Sequence, residues 1–225
     1  MIGWSLFAAA FVAFFVTHTI PVRPGVKARL QAALGMTGFT AAYSVLSLLM
    51  LWVLILAAGQ APYVQLWSQM AWQAWVVLVG MAAVCAVAAL AIGRPNPFSF
   101  GGARNAPFDP THPGILRYMR HPLLVALALW AGLHLLPNGD LAHVLLFGVF
   151  LGFTILGRRI IDRRNQRLMG RDQWNDLWHQ TRTAPWVQTP TDWRGLLLRL
   201  GAAGIAMAAL LLLHPVVLGV SPLPV

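Results

Sequence analysis

The sequence predicts an all-α polytopic membrane protein. It would have six transmembrane helices, a short helical hairpin made by the fourth and fifth, and an interfacial segment on the cytoplasmic side. Three observations predict this fold. Of 225 residues, 58% are hydrophobic and only 10% are charged, where soluble domains carry about 25% charged residues. The mean hydropathy of +0.67 agrees. The apolar residues are gathered into six runs, and 225 residues accommodate six spans of roughly 20 residues each. All 16 basic residues fall in or beside alternate connections between those runs.

The runs are Ile2–Ile20, Ala33–Ala58, Met70–Gly93, Pro122–Leu136, Leu141–Gly157 and Gly195–Leu213. In lipid every backbone polar group needs an internal partner, so each run is read as a helix. The first run begins without a basic segment, and Arg23, Lys27 and Arg29 follow it. It reads as an uncleaved first helix rather than a signal peptide. Arg94, Arg104, Arg117 and Arg120 lie between the third and fourth runs. Arg158, Arg159, Arg163, Arg164, Arg167, Arg171, Arg182 and Arg194 lie between the fifth and sixth, and Arg199 begins the sixth. Gly59–Gln69 and Pro137–Asp140 contain no basic residue. The basic connections face the cytoplasm by the positive-inside rule, which places both termini in the periplasm of a bacterial inner membrane.

The connections differ in kind. Arg94–Pro122 is rich in Pro, Gly and Asn and reads as an irregular loop. Pro137-Asn138-Gly139-Asp140 reads as a tight turn joining the fourth and fifth helices. Asn165–Arg182 alternates arginine with Leu168, Trp174, Leu177 and Trp178. Its spacing predicts a helix lying in the interface, its arginines toward headgroups, with plain Trp and Arg anchoring as the alternative.

Composition also excludes chemistries. The net charge of +10 does not point to nucleic acid, because the arginines flank apolar runs. Cys85 is the only cysteine, so an internal disulfide, a thiolate zinc site and covalent haem attachment through C-x-x-C-H are all ruled out. Glutamate is absent, so H-E-x-x-H cannot occur, and neither G-x-G-x-x-G nor a P-loop is present. The six aspartates fall in loops or at the edges of runs, which gives no carboxylate relay through the bilayer.

Histidines are the informative set. His18 lies about a turn inside the cytoplasmic end of the first run, His134 near the outer end of the fourth, and His112 and His121 flank the cytoplasmic loop. His143 and His214 lie toward outer ends. Neutral imidazole suits iron, copper and zinc. The competing reading of any one such histidine is a hydrogen bond to helix backbone.

Thr17-His18-Thr19-Ile20-Pro21-Val22-Arg23, Arg120-His121-Pro122, Trp130-Ala131-Gly132-Leu133-His134, Pro137–Asp140 and Asp162-Arg163-Arg164 occur in that order. The ordered set resembles the NnrU family of bacterial membrane proteins and, more distantly, the 15-cis-ζ-carotene isomerases. The resemblance covers residues 3–186 of a single domain, 1–225, with 187–225 forming the final span and tail. It implies a protein that supports nitrite and nitric oxide reduction in denitrification, with a nitrite or nitric oxide reductase system as partner. It also implies haem b, its iron held by His18 and His134, which match the isomerase ligands. Ala131 stands where the isomerase has a cysteine, so a cysteine-based ligand switch is not implied. Arg23, Arg117 and Arg120 are the expected partners of haem propionates. His134 lies 13 residues beyond His121, a rise of roughly 20 Å. A shared iron therefore requires a tilted fourth helix or a haem lying aslant, and by depth alone His121 is the better match for His18.

Arg120-His121-Pro122 with Arg171–Pro185 also resembles isoprenylcysteine-type methyltransferases. Leu123, Leu124 and the absence of glutamate depart from that pattern, so S-adenosylmethionine is not expected. The alternatives that stand are an enzyme acting on an apolar membrane-dissolved substrate, by cis–trans isomerisation or methyl transfer, and a non-catalytic assembly factor docking a partner through Arg158–Arg194.

Overall fold

The computed structural model describes residues 2–100 and 107–223, so Arg104 of the long loop lies outside it. Among the described residues seven helices form: α1 (Ile2–Thr19), α2 (Pro24–Gly59), α3 (Ala71–Ala91), α4 (Pro122–Leu135), α5 (Leu141–Met169), α6 (Arg171–Thr183) and α7 (Trp193–Leu218). A single 3-10 turn, Gly114–Arg117, interrupts the loop before α4. The described residues contain no strand, only an isolated bridge between Gln65 and Asp140.

Among the described residues five helices, α1, α2, α3, α5 and α7, are long and apolar enough to cross a membrane. The sixth apolar run is α4, with 14 residues, a length of about 21 Å against a hydrocarbon core of ~30 Å. Its limits are local. Pro122 opens it at the first turn, where a missing N–H is harmless, and the Pro137–Asp140 turn follows its end. These helices present apolar side chains on their outward faces, as at Val79 (71% exposed) and Leu212 (74%).

Boundaries differ most from the sequence reading at α2 and α5. The second apolar run began at Ala33, whereas α2 begins at Pro24 and is interrupted at Gly35. Gly35 has φ 71° and ψ 169°, a conformation natural only to glycine. The basic stretch before it is a separate helical piece, and residues 36–59 suit a span of roughly 36 Å. The fifth run ended at Gly157, but α5 continues to Met169. Arginine is a good helix former, and nothing breaks the helix before Gly170, whose φ of 89° separates α5 from α6. The segment expected over Asn165–Arg182 is therefore shared between two helices.

Two compact units are present. One holds the described residues up to Ser68 together with Gly139–Leu146, and the other holds Gln69–Asn138 with the described residues from Phe147 onward. In the first unit α1 packs on α2, and the α2–α3 loop clasps the α4–α5 turn. Leu66 N–H donates to Gly139 O (2.7 Å), and Leu141 N–H donates to Val64 O (2.9 Å). In the second unit α3 packs on both α4 and α7. Arg199 of α7 donates to Ala89 O (2.8 Å) and Ile92 O (2.6 Å), satisfying carbonyls left open at the end of α3.

Candidate functional site

Polar side chains gather where the loop before α4 meets the end of α5 and α6. Asn96 organises the loop. Its Oδ1 accepts from Phe98 N–H and Ser99 N–H (2.9 and 3.1 Å), and its Nδ2 donates to Arg120 O. Asn165 of α5 donates to Phe98 O (2.7 Å). Phe98 is thereby fully buried, with its ring edge-on to Trp174 and Trp178 of α6. The apolar side of α6 is thus turned onto the protein, with Trp174 and Thr181 buried.

Against these rings sits a shared carboxylate. Arg120 Nη2 donates to Asp162 Oδ2 (3.0 Å), and His121 Nε2 lies 2.9 Å from Asp162 Oδ1. The Arg120 guanidinium also lies over Trp174 and Trp178, 4.9 and 4.7 Å from their centroids, a favourable place for a cation. Burial pushes the His121 imidazole below its ordinary pKa, and the Asp162 charge opposes that shift. Burial likewise lowers Arg120, again against Asp162. An acceptor at Nε2 fixes the neutral tautomer with its lone pair on Nδ1. That Nδ1 has no hydrogen-bond partner although His121 is only 1% exposed. Ser99 Oγ and Trp174 Nε1 are also buried without partners. Chemically the cluster offers a buried imidazole acceptor and two buried donors beside a fixed cation.

Sequence reasoning found Arg120 and His121 but gave Asp162 no role. The available signal was an aspartate standing within the arginine run Arg158–Arg167, where an acid needs a particular partner. Arg117 also lies here and is committed elsewhere. Its Nε donates to Ala184 O (2.6 Å), and its guanidinium covers the Trp186 ring at 4.3 Å. Tyr118 OH donates to Trp186 O beside it. Arg23 is exposed at the start of α2 with no ion pair among the described residues.

The histidines proposed as iron ligands lie in the two separate units. In the first, His18 Nδ1 bonds Phe14 O (2.9 Å), and its ring stacks on Phe14 at 3.9 Å. Tyr43 donates to His18 O. In the second, His134 Nδ1 bonds Trp130 O (2.8 Å), with its ring 5.3 Å from Trp130 and 5.2 Å from Phe147. Each ring therefore donates Nδ1–H one turn back and keeps its lone pair on Nε2, the tautomer of a histidine ligand with an oriented outer partner. The same bonds satisfy the competing reading of a helix-end histidine. His143 instead pairs with Asp140 (2.7 Å), and His214 bonds Val220 O. Among the described residues no group of three or more His, Cys or Asp side chains is placed to hold a metal ion.

No curated protein and no solved structure matches the chain. The NnrU protein family matches over residues 6–222, nearly the whole length, and includes the histidines, the Arg120–His121 pair and Asp162. The chain therefore belongs to the NnrU family and, with five long apolar helices, is a membrane protein of that family.

Proposed function

We propose that this NnrU-family protein binds haem b through intramembrane histidine and supports nitrite and nitric oxide reduction at the bacterial inner membrane, in association with the reductase system. The observation that carries this reading is the ring of His134. Its Nδ1–H is held by Trp130 O, so Nε2 remains a lone-pair donor between aromatic walls. His18 is prepared in the same way. Haem b, when bound, would supply one-electron transfer or a site for a small ligand such as nitric oxide. The protein's part is to orient neutral imidazole and to surround it with apolar side chains. Arg23 is free to meet a propionate, whereas Arg117 and Arg120 would first have to leave Trp186 and Asp162.

The expected membrane placement has six crossings and both termini in the periplasm. What supports α4 as a crossing is the clasp between the α4–α5 turn and the α2–α3 loop, which puts two connections free of basic residues side by side.

The absorption spectrum of the detergent-purified protein tests the cofactor. A Soret band is expected, present in His143→Ala and lost in His134→Ala. Loss in His18→Ala as well would assign iron to both histidines, and retention there would assign it to His134 alone. A colourless protein after expression with ample haem would refute the reading.

A further inference from the structure

We propose that the basic end of α5 docks on the anionic headgroups of the lipid leaflet beside it. Phe153, Leu156 and Ile160 recur at the spacing of one helix face and are 47%, 55% and 64% exposed. The same face continues as Arg163, Arg164 and Arg167, all exposed. Side chains suited to acyl chains thus give way directly to guanidinium groups on one side of one helix. The depth fits as well. About 20 residues make a crossing, which brings α5 from Leu141 to Ile160. Arg163 and Arg164 then stand roughly 5–6 Å past the hydrocarbon edge and Arg167 roughly 10 Å, against a headgroup layer of about 5–7 Å. The long arginine stem brings Arg167 back to that level.

Charge says what kind of headgroup this is. Asp162 and Asn165 lie on the opposite side of α5, turned inward, where Asp162 is taken up by Arg120 and His121 and Asn165 by Phe98 O. The one acid of this stretch therefore faces away from the three arginines, and none of them pairs with a carboxylate among the described residues. Like charges one turn apart repel along a helix. Lipid phosphates relieve that repulsion and accept charge-assisted hydrogen bonds, and a net negative headgroup adds attraction that a zwitterionic one lacks. Orientation in the bilayer asks only for basic residues near the end of a span; it does not ask for an acid-free face in line with the lipid-facing one. The interfacial contact expected of Asn165–Arg182 does not fall to α6, whose Trp174 and Trp178 are turned onto Phe98. This face is independent of the haem reading, since neither His18 nor His134 takes part.

The full-length protein is offered an equimolar mixture of phosphatidylglycerol and phosphatidylcholine in mild detergent, and the lipids it retains are counted by native mass spectrometry. Two double variants remove the same charge from different places. Arg163→Gln with Arg167→Gln clears the α5 face, and Lys27→Gln with Arg29→Gln clears the basic piece of α2. Glutamine keeps helix propensity at these positions, and a thermal midpoint checks that each variant is folded. The wild type should enrich phosphatidylglycerol, less so as salt rises because the contact is screened. The α5 variant should lower that enrichment roughly tenfold, and the α2 variant should change it far less. Equal retention of the two lipids by the wild type would overturn the proposal, as would an equal loss in both variants, which would reduce the effect to net charge. A copurifying acidic protein released by the α5 variant, with lipid preference unchanged, would assign the face to a protein partner instead.

Discussion

Asp162 serves two partners at once, and neither has another anion within reach among the described residues. One carboxylate oxygen holds the Arg120 guanidinium and the other holds His121. Removing its charge leaves a partly buried cation uncompensated, a change more damaging than losing a surface pair. Asp162→Asn should therefore lower unfolding stability by about 2 kcal/mol, read as a reduced thermal midpoint in detergent. Asp172→Asn, on the exposed side of α6, should leave the midpoint unchanged. The same cluster sets a pH dependence. His121 titrates below its ordinary value in the folded chain because burial disfavours its cation. The unfolded chain then takes up the proton first, so stability is full above pH ~6.5 and falls as pH drops below it. Asp109 titrates elsewhere. Hydrogen bonds from Thr111 hold its carboxyl down to about 2, so its contribution is lost only as pH falls from about 4 toward 2. A thermal midpoint that declines between pH 7 and 5, with the decline flattened in His121→Gln, checks the assignment. An undiminished decline in that variant would place the titrating group elsewhere.

Helices in this chain were legible where lipid shapes composition and obscure where protein does. Hydropathy located every crossing candidate to within a few residues at its apolar end. It stopped at Gly157 in α5 because the remaining turns are arginine-rich, although arginine is no obstacle to a helix. It also left out the first piece of α2, residues 24–34, because that piece is basic, and it gave no sign of the break, since Gly35 is one glycine among many and only its positive φ marks it. The pairing of Arg120 with Asp162 spans 42 residues, and no periodicity reports a contact of that range. Close approaches between elements were equally invisible, and they carry the next prediction. At Gly139 an added Cβ would collide with the backbone carbonyl of Trp67, which cannot rotate away. At Gly80 in α3 an added Cβ would come within 2.5 Å of the Leu133 methyl groups in α4, which can change rotamer. Gly139→Ala should therefore cost about 1–3 kcal/mol as an overpacked site, while Gly80→Ala should cost less than about 1 kcal/mol because alanine also improves helix propensity. Unfolding midpoints of the two variants measured side by side decide it. Equal losses would mean that the loop clasp yields as easily as a side chain.

For the whole molecule, the decisive quantity is the number of membrane crossings, and it rests on α4. Without a crossing by α4, five spans would leave the termini on opposite sides, and one of the two groups of connections would be split across the bilayer. A helix of about 21 Å is shorter than the hydrocarbon core, but bilayer thinning and polar side chains at each end accommodate such a mismatch. α4 has His121 at its start and Asn138 just beyond its end, where Asn138 donates to His134 O at 2.7 Å and closes the last turn. A crossing by α4 also keeps every arginine on one side, whereas a turn-back within the membrane would move Arg158–Arg171 across the bilayer against the charge rule. Cysteine labelling in intact cells distinguishes the two arrangements. With Cys85 replaced by alanine, a cysteine at Asn138 should react with a membrane-impermeant maleimide added from outside. A cysteine at Arg167 should react only after the membrane is opened. If instead Asn138→Cys is protected and Arg167→Cys is labelled from outside, α4 does not cross. α5 then runs in the opposite sense, and His134 loses its place near the outer surface.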